Sequence, residues 1–446
     1  MLSAMARWLA VALVVLAALS GGAAAQDAAP ILMIISVDGL RPDYVTAADA
    51  HGLKIPALRR FLKEGAFAEG VQGVIPTTTY PSHTTLLTGV WPARHGIFAN
   101  TVFDPGRAGD RAWYWYAEDI KVPTLWDAAA RAGWKTASVQ WPVSVGARVD
   151  FNIPEFWHVG GPGDGKLLRL VSTPGLLAEM EAELGPYVRG LGIDADESHA
   201  RFVTWLLEKK RASLLTLHLL ALDHEQHERG PHAPGVFAVL EKLDAILADL
   251  RATAERLAPG RTWIAIVSDH GFARAYQQLN LFSAFRDAGL LKIERGRITE
   301  WHAVPWSSGG SAAIVLKDAD DELTRQQTHL LLLKLKADPA NGIDRVLTTK
   351  DLRARGGFPT ASFVVGLKPG WQLASGFTGG LVTKSAGGQH GHLPDVPDLQ
   401  ASFFLVGPGV PAGRSLGIVD MRDIAPTLAR RTGLTLPSAD GRNLLP

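Results

Sequence analysis

Apolar runs and polar endings alternate along this chain in two distinct rhythms. Five short runs are continuously apolar and enriched in β-branched or aromatic residues: ILMIISVD at 31–38, TASVQW at 136–141, LLTLHLLALD at 214–223, TWIAIVSD at 262–269 and ASFFLVGPG at 401–409. Runs of that length without polar alternation read as strands buried on both faces, the condition of a parallel sheet. Between them, apolar residues recur every three to four positions in IPALRRFLKEG, VPTLWDAAARAG and GVFAVLEKLDAILADLRATAER. These are amphipathic helices, and the first two stop at glycine. Strand and helix thus alternate, which predicts an α/β chain with a largely parallel central sheet and helices on both faces.

Two stretches break the rhythm. Residues 144–194 are rich in Gly and Pro with isolated aromatics such as Phe156 and Trp157, and residues 275–384 mix strand-like and helical pieces. Both read as insertions on the ligand-binding side, where loops select the substrate. The chain opens with MLSAMAR, WLAVALVVLAALS and GGAAAQ. A cationic start, an apolar stretch short of the ~20 residues that span a bilayer and an Ala-x-Ala ending predict a signal peptide over 1–25. No second such run follows, so no stable membrane span is expected after cleavage. Residues 26–446 are then expected to form one catalytic domain carrying the two insertions. With no cysteine, the chain offers no disulfide, lipidated cysteine or thiolate metal site. An exported protein of this kind is expected in a bacterial periplasm or secreted. Lys plus Arg number 45 against 44 Asp plus Glu, and the one basic cluster, EKKR at Glu208 to Arg211, is isolated. Binding to long nucleic acid is therefore not indicated.

The candidate chemistry sits where the apolar runs end. Asp38, Asp223 and Asp269 close three predicted strands, on the edge where open α/β sheets bind ligands. His227 stands four residues after Asp223, so one helical turn or a tight loop presents both to one ion. His270 follows Asp269 directly, and His390 lies in GQHGH. Such carboxylate and imidazole ligands suit paired divalent ions, two Zn2+ being expected. Thr79 lies in IPTTTYPSHTTLLTG, in a loop stiffened by Pro76 and Pro81 just before a helix. A hydroxyl there is ionised at neutral pH only beside a metal, aided by the helix N-terminus. Two dications, three aspartates and one alkoxide come close to neutral, a balance that accepts an anionic phosphodiester. His83, His95 and His224 read as structural. His392 reads as a cleft-lining residue or a substitute ligand, with His390 preferred.

Five segments also occur in a telling order: IISVDGLRPDY, PTTTYPSHTTLLTGVWPARHGI, LDHEQHERGP, VSDHGF and GQHGH, followed by DMRDIAPTLARRTG. In that order the chain resembles the nucleotide pyrophosphatase/phosphodiesterase family of the alkaline phosphatase superfamily. The resemblance implies an alkaline phosphatase-like three-layer α/β sandwich with inserted cap segments, and hydrolysis of small-molecule phosphodiesters through a phospho-threonine at Thr79. It implies one zinc on Asp38, Asp269, His270 and Thr79, and another on Asp223, His227 and His390. Asn100 matches the family's phosphate-binding asparagine, with the backbone N–H of Tyr80 as second donor. The aromatic side chain of Tyr80 and the VQWPVS segment favour diesters over monoesters. WYWY at 113–116 reads as core packing or as a stacking surface.

Departures from the family bear on the substrate. His218 replaces a usual tyrosine, Ala221-Leu222 replaces Glu-Pro, Thr78 stands for lysine and Ser82 for asparagine. These put nucleotide preference in doubt against choline- or glycerol-type diesters. The alternatives are a phosphomonoesterase or phosphonate hydrolase on the same core and, less favoured, a periplasmic binding protein. No Cys-x-Pro-x-Arg sequence supports a sulfatase.

Overall fold

The computed structural model describes residues 29–105, 112–157 and 163–446, so the expected signal peptide lies outside the described residues. In chain order the strands used below are β1 (Ile31–Val37), β2 (Ala66–Phe67), β3 (Thr136–Val139), β4 (Phe151–Ile153), β5 (Leu214–Leu219) and β6 (Thr262–Val267). They continue as β7 (Ala273–Leu279), β8 (Ala303–Ser308), β9 (Ser311–Leu316), β10 (Ile343–Thr348), β11 (Phe363–Leu367), β12 (Gly388–Gln389), β13 (Phe403–Val406) and β14 (Arg414–Ser415). The helices are α1 (Pro56–Glu64), α2 (Thr79–Thr88), α3 (Leu125–Arg131), α4 (Ala221–Arg229), α5 (Pro234–Leu257), α6 (Glu322–Ala337) and α7 (Ile424–Thr432).

Eight strands form the main sheet in the order β14-β2-β13-β6-β1-β5-β3-β4. β1 lies between β6 and β5 and is parallel to both, with Val37 beside Leu219 and Ser36 beside Val267. That register brings the carboxyl ends of the three strands to one edge. The run at 401–409 was expected to be parallel; β13 instead pairs antiparallel with β6. Its residues are buried on both faces all the same, and burial, which the apolar run encodes, carries no strand direction.

Alternate residues of β1 face opposite layers. Ile31, Met33, Ile35 and Val37 join a core with Leu58 and Phe61 of α1 and Leu240, Leu243 and Leu247 of α5. Leu32 and Ile34 join another with Leu86 of α2, Leu125 of α3 and Ile424 and Leu428 of α7. The result is helix, sheet, helix. Among the described residues no helix is long and apolar enough to cross a membrane.

The segment expected as a second insertion builds a four-stranded antiparallel sheet, β8-β9-β11-β10, packed with α6 on a core of its own. It meets the main sheet through the loop after β12. There Gly391 has φ +84°, and an added Cβ would lie 1.8 Å from the Ser308 carbonyl oxygen, so only glycine brings the loop this close.

Candidate active site

Asp38 and Asp269 leave β1 and β6 side by side. Asp269 Oδ1 accepts from the backbone N–H groups of Gly39 at 3.2 Å and of His270 at 3.1 Å, while Asp38 Oδ2 accepts from His218 Nε2 at 3.0 Å. Each carboxylate thereby has one oxygen held and the other free. His270 Nε2 lies 3.4 Å from Asp38 Oδ1 and 3.2 Å from Asp269 Oδ2.

Asp223 stands in the first turn of α4 rather than at the end of β5 itself. The start of that helix is fixed by Asp196, whose two oxygens accept from the N–H groups of Leu220 (3.0 Å) and Ala221 (2.9 Å). One turn on, His227 Nε2 is 3.5 Å from Asp223 Oδ1, and His390 Nε2 is 3.8 Å from the same oxygen. The rings of His270 and His390 stack at 3.7 Å, which joins the two groups.

Three histidines share one arrangement. Nδ1 of His270, His390 and His227 lies against the carbonyl oxygens of Gly271 (3.1 Å), Thr77 (3.1 Å) and Gly388 (3.2 Å), so every Nε2 points toward the carboxylates. Fixing Nδ1 on a carbonyl sets the tautomer that leaves Nε2 with a lone pair. Burial draws the His270 pKa down to about 3 and lowers that of His390 well below its ordinary value, so both rings are neutral and able to ligate. Burial, reinforced by Asp223 and Asp269, raises Asp38 well above the usual carboxylate range, and burial raises Asp223. Such crowding of acids is relieved by a cation.

The donor set fits that cation. Asp38 Oδ1, Asp223 Oδ1, Asp269 Oδ2 and His270 Nε2 are buried and have no hydrogen-bond partner. Buried polar atoms of native proteins are nearly always satisfied, and here all four converge. Groups able to hold an ion form from Asp38, Asp269 and His270 and from Asp223, His270 and His390. Two further groups form, His83, His218 and Asp269 beside the first two and Asp43, His51 and His232 elsewhere. There the Arg41 guanidinium already engages both Asp43 oxygens, at 2.9 and 3.0 Å, so that cluster is a salt-bridge node.

Thr79 is the first residue of α2, 8% exposed, with the loop before it sewn to the GQHGH segment by Gly391 N–H donating to the Thr77 oxygen at 2.9 Å. The Tyr80 N–H donates to Asn100 Oδ1 at 2.9 Å, which orients the Asn100 amide nitrogen away from it. The Tyr80 N–H, expected as the second phosphate donor, is thereby engaged by Asn100, and the Tyr80 side chain, expected to favour diesters, is buried. Its ring is fully buried against Trp113, and its hydroxyl donates to Glu155 at 3.0 Å, because a phenol taken out of water needs a partner. Trp113 and Trp115 pack on Trp157 and Phe156 below it. His95 pairs with Thr85 and His392 with the Trp371 carbonyl, so both are tied down outside the ligand groups. His83 holds the Thr79 carbonyl oxygen at 2.8 Å.

A family model described as type I phosphodiesterase / nucleotide pyrophosphatase matches residues 32–393. The chain belongs to that family of hydrolases. It is similar to human bis(5'-adenosyl)-triphosphatase ENPP4, 25% identical over 56% of this chain and 49% of that protein, and to human ectonucleotide pyrophosphatase/phosphodiesterase family member 1, 24% identical over 54% and 23%. A mouse enpp4 match is 32% identical over 27% of this chain and 26% of that protein. The chain thus spans half or less of the length of these relatives. In fold it is similar to human ENPP5, with a TM-score of 0.64 and 20% identity over 92% of this chain and 97% of that one. A murine ENPP5 complex with AMP gives 0.64 and 19% over 93% and 97%.

Two polar residues of this region escaped the search for ligands. His218 and Glu155 are 0% and 3% exposed and touch each other. The sequence did carry a signal for one of them, a lone histidine inside the buried run LLTLHLL.

Proposed function

We propose that the protein hydrolyses small phosphodiesters, with Thr79 as nucleophile beside two zinc ions. The reading is carried by one observation, the four buried ligand atoms without partners, all in residues that follow the carboxyl ends of β1, β5 and β6. When bound, the ions offset the charge of the aspartates and phosphate and ease ionisation of the Thr79 hydroxyl. Asp38, Asp269 and His270 would hold one ion with Thr79, and Asp223, His227 and His390 would hold the other. Thr79 Oγ attacks phosphorus and expels the first alcohol, leaving phospho-threonine; water then releases the monoester. The Asn100 amide nitrogen donates to a phosphate oxygen as its charge grows.

The match to a type I phosphodiesterase / nucleotide pyrophosphatase model supports diesters over monoesters. Family relatives bearing the name of a bis(5'-adenosyl)-triphosphatase and an ENPP5 complex holding AMP make nucleotides the first substrates to try. The export reading rests on residues 1–25 alone, and residues 26–446 are read as one catalytic unit. Rates on p-nitrophenyl phosphate, p-nitrophenyl thymidine phosphate and p-nitrophenylphosphocholine test the proposal. The diesters are expected to turn over faster; a large preference for the monoester would contradict it.

A further inference from the structure

Behind Asp38 runs a file of buried side chains that the reaction itself does not use. Asp38 Oδ2 accepts from His218 Nε2 at 3.0 Å, and His218 Nδ1 lies 2.9 Å from Glu155 Oε2. Glu155 Oε1 in turn accepts from the Tyr80 hydroxyl at 3.0 Å. Tyr80 follows Thr79 in α2, and its N–H donates to Asn100 Oδ1 at 2.9 Å. The file therefore begins at a candidate metal ligand and ends beside the nucleophile and the candidate phosphate donor.

Its members come from four separate stretches, β1, β5, the residue pair after β4, and α2. Glu155 belongs to the Gly- and Pro-rich stretch that the sequence marked as an insertion. A merely satisfied buried histidine needs one acceptor, whereas His218 has an acid at either ring nitrogen, with the Gln140 carbonyl oxygen 3.2 Å from Nδ1 as well.

We infer that Glu155 and His218 are positioning residues: they hold Asp38 by one oxygen so that the other is aimed at the ion, and they couple that aim to the seat of Thr79. With Oδ2 held by His218, rotation of the Asp38 carboxylate is restrained, and Oδ1 lies 3.4 Å from His270 Nε2. Glu155 fixes the imidazole plane by its far side, and Tyr80 fixes Glu155. Residues behind a ligand that orient it typically contribute about 10–100-fold to metal affinity or activity. The inference rests on the two-ion reading of the site, in which Asp38 is a ligand.

The test is zinc affinity by chelator competition on the full chain, alongside kcat and KM on p-nitrophenyl thymidine phosphate. Glu155→Gln is expected to lower affinity at the Asp38 half about 10–100-fold and kcat by a similar factor, with KM nearly unchanged. His218→Gln keeps a donor for Asp38 and is expected to retain more affinity than His218→Leu. The double variant Glu155→Gln with His218→Leu is expected to bind zinc no more weakly than His218→Leu alone, since Glu155 acts through His218. Should His218→Leu fail to fold, the comparison of Glu155→Gln with Tyr80→Phe, the milder of the two, decides. Unchanged zinc affinity in Glu155→Gln and His218→Leu, or losses that multiply in the double variant, would overturn the inference and leave the two-ion reading standing. A wild-type protein that takes up no zinc would instead overturn that reading.

Discussion

The side chains of Asp38, Asp269 and His270 keep 4%, 0% and 0% of their surface, whereas those of Asp223, His227 and His390 keep 20%, 33% and 10%. The first group grows from two neighbouring strands whose register fixes both carboxylates, and backbone N–H groups hold Asp269. The second is assembled from a helical turn and a loop that depends on Gly391 and the inserted sheet. Two carboxylate and imidazole sets, one with two aspartates and one with two histidines, thus rest on supports of unequal rigidity. The buried half is preorganised by the core, and the open half by packing between the sheet and its insertion. An ion in the open half is expected to leave first.

The largest effect concerns the proposed nucleophile, which belongs to the buried half. Thr79→Ala is expected to cut diester turnover by roughly four to six orders of magnitude, as loss of a nucleophile does elsewhere, with the ion of Asp223, His227 and His390 retained by elemental analysis. Next, Asn100→Ala should lower kcat by about 10²–10³ without moving zinc affinity, because in the proposed reaction it serves the developing charge and neither ion. The comparison itself is sharpened by matched ligand variants. His227→Asn is expected to lose one zinc equivalent in mild chelator while keeping the other, and Asp269→Asn to weaken both, since His270 lies close to each carboxylate group. Equal and independent losses would show the halves to be alike.

A control outside both halves gives the smallest effect. Burial holds the His95 pKa at about 3, so the folded protein keeps this ring neutral while the unfolded chain protonates it near 6.5. The unfolded state binds more protons between those values, so this stability is whole above pH 6.5 and lost as pH falls. At pH 5 the loss is about 2 kcal/mol. Urea unfolding of metal-free protein at pH 7 and 5 measures it, and His95→Gln should reduce the pH-dependent loss by that amount.

Much of this architecture was legible because burial writes itself into composition. β1, β3, β5, β6 and β13 all fall inside the five apolar runs, α1 and α3 inside two of the periodic ones, and α5 covers the third with one residue more at each end. Direction was not legible for β13, since a strand buried on both faces reads the same either way. The ligand candidates stood out because acids and histidines at the ends of apolar runs are costly without a partner. Glu155 gave no such signal, lying in an irregular stretch where an acid is ordinary. Tyr80 misled for the opposite reason: an aromatic beside the proposed nucleophile invites a substrate role, but a helix turns successive side chains about 100° apart, and this one is buried.

Zinc-edge anomalous diffraction from crystals of the wild-type protein tests the central claim most directly. Two peaks are predicted, one among Asp38, Asp269, His270 and Thr79 Oγ and a weaker one among Asp223, His227 and His390. A single peak, or peaks with Thr79 Oγ beyond coordinating reach of both, would contradict the account.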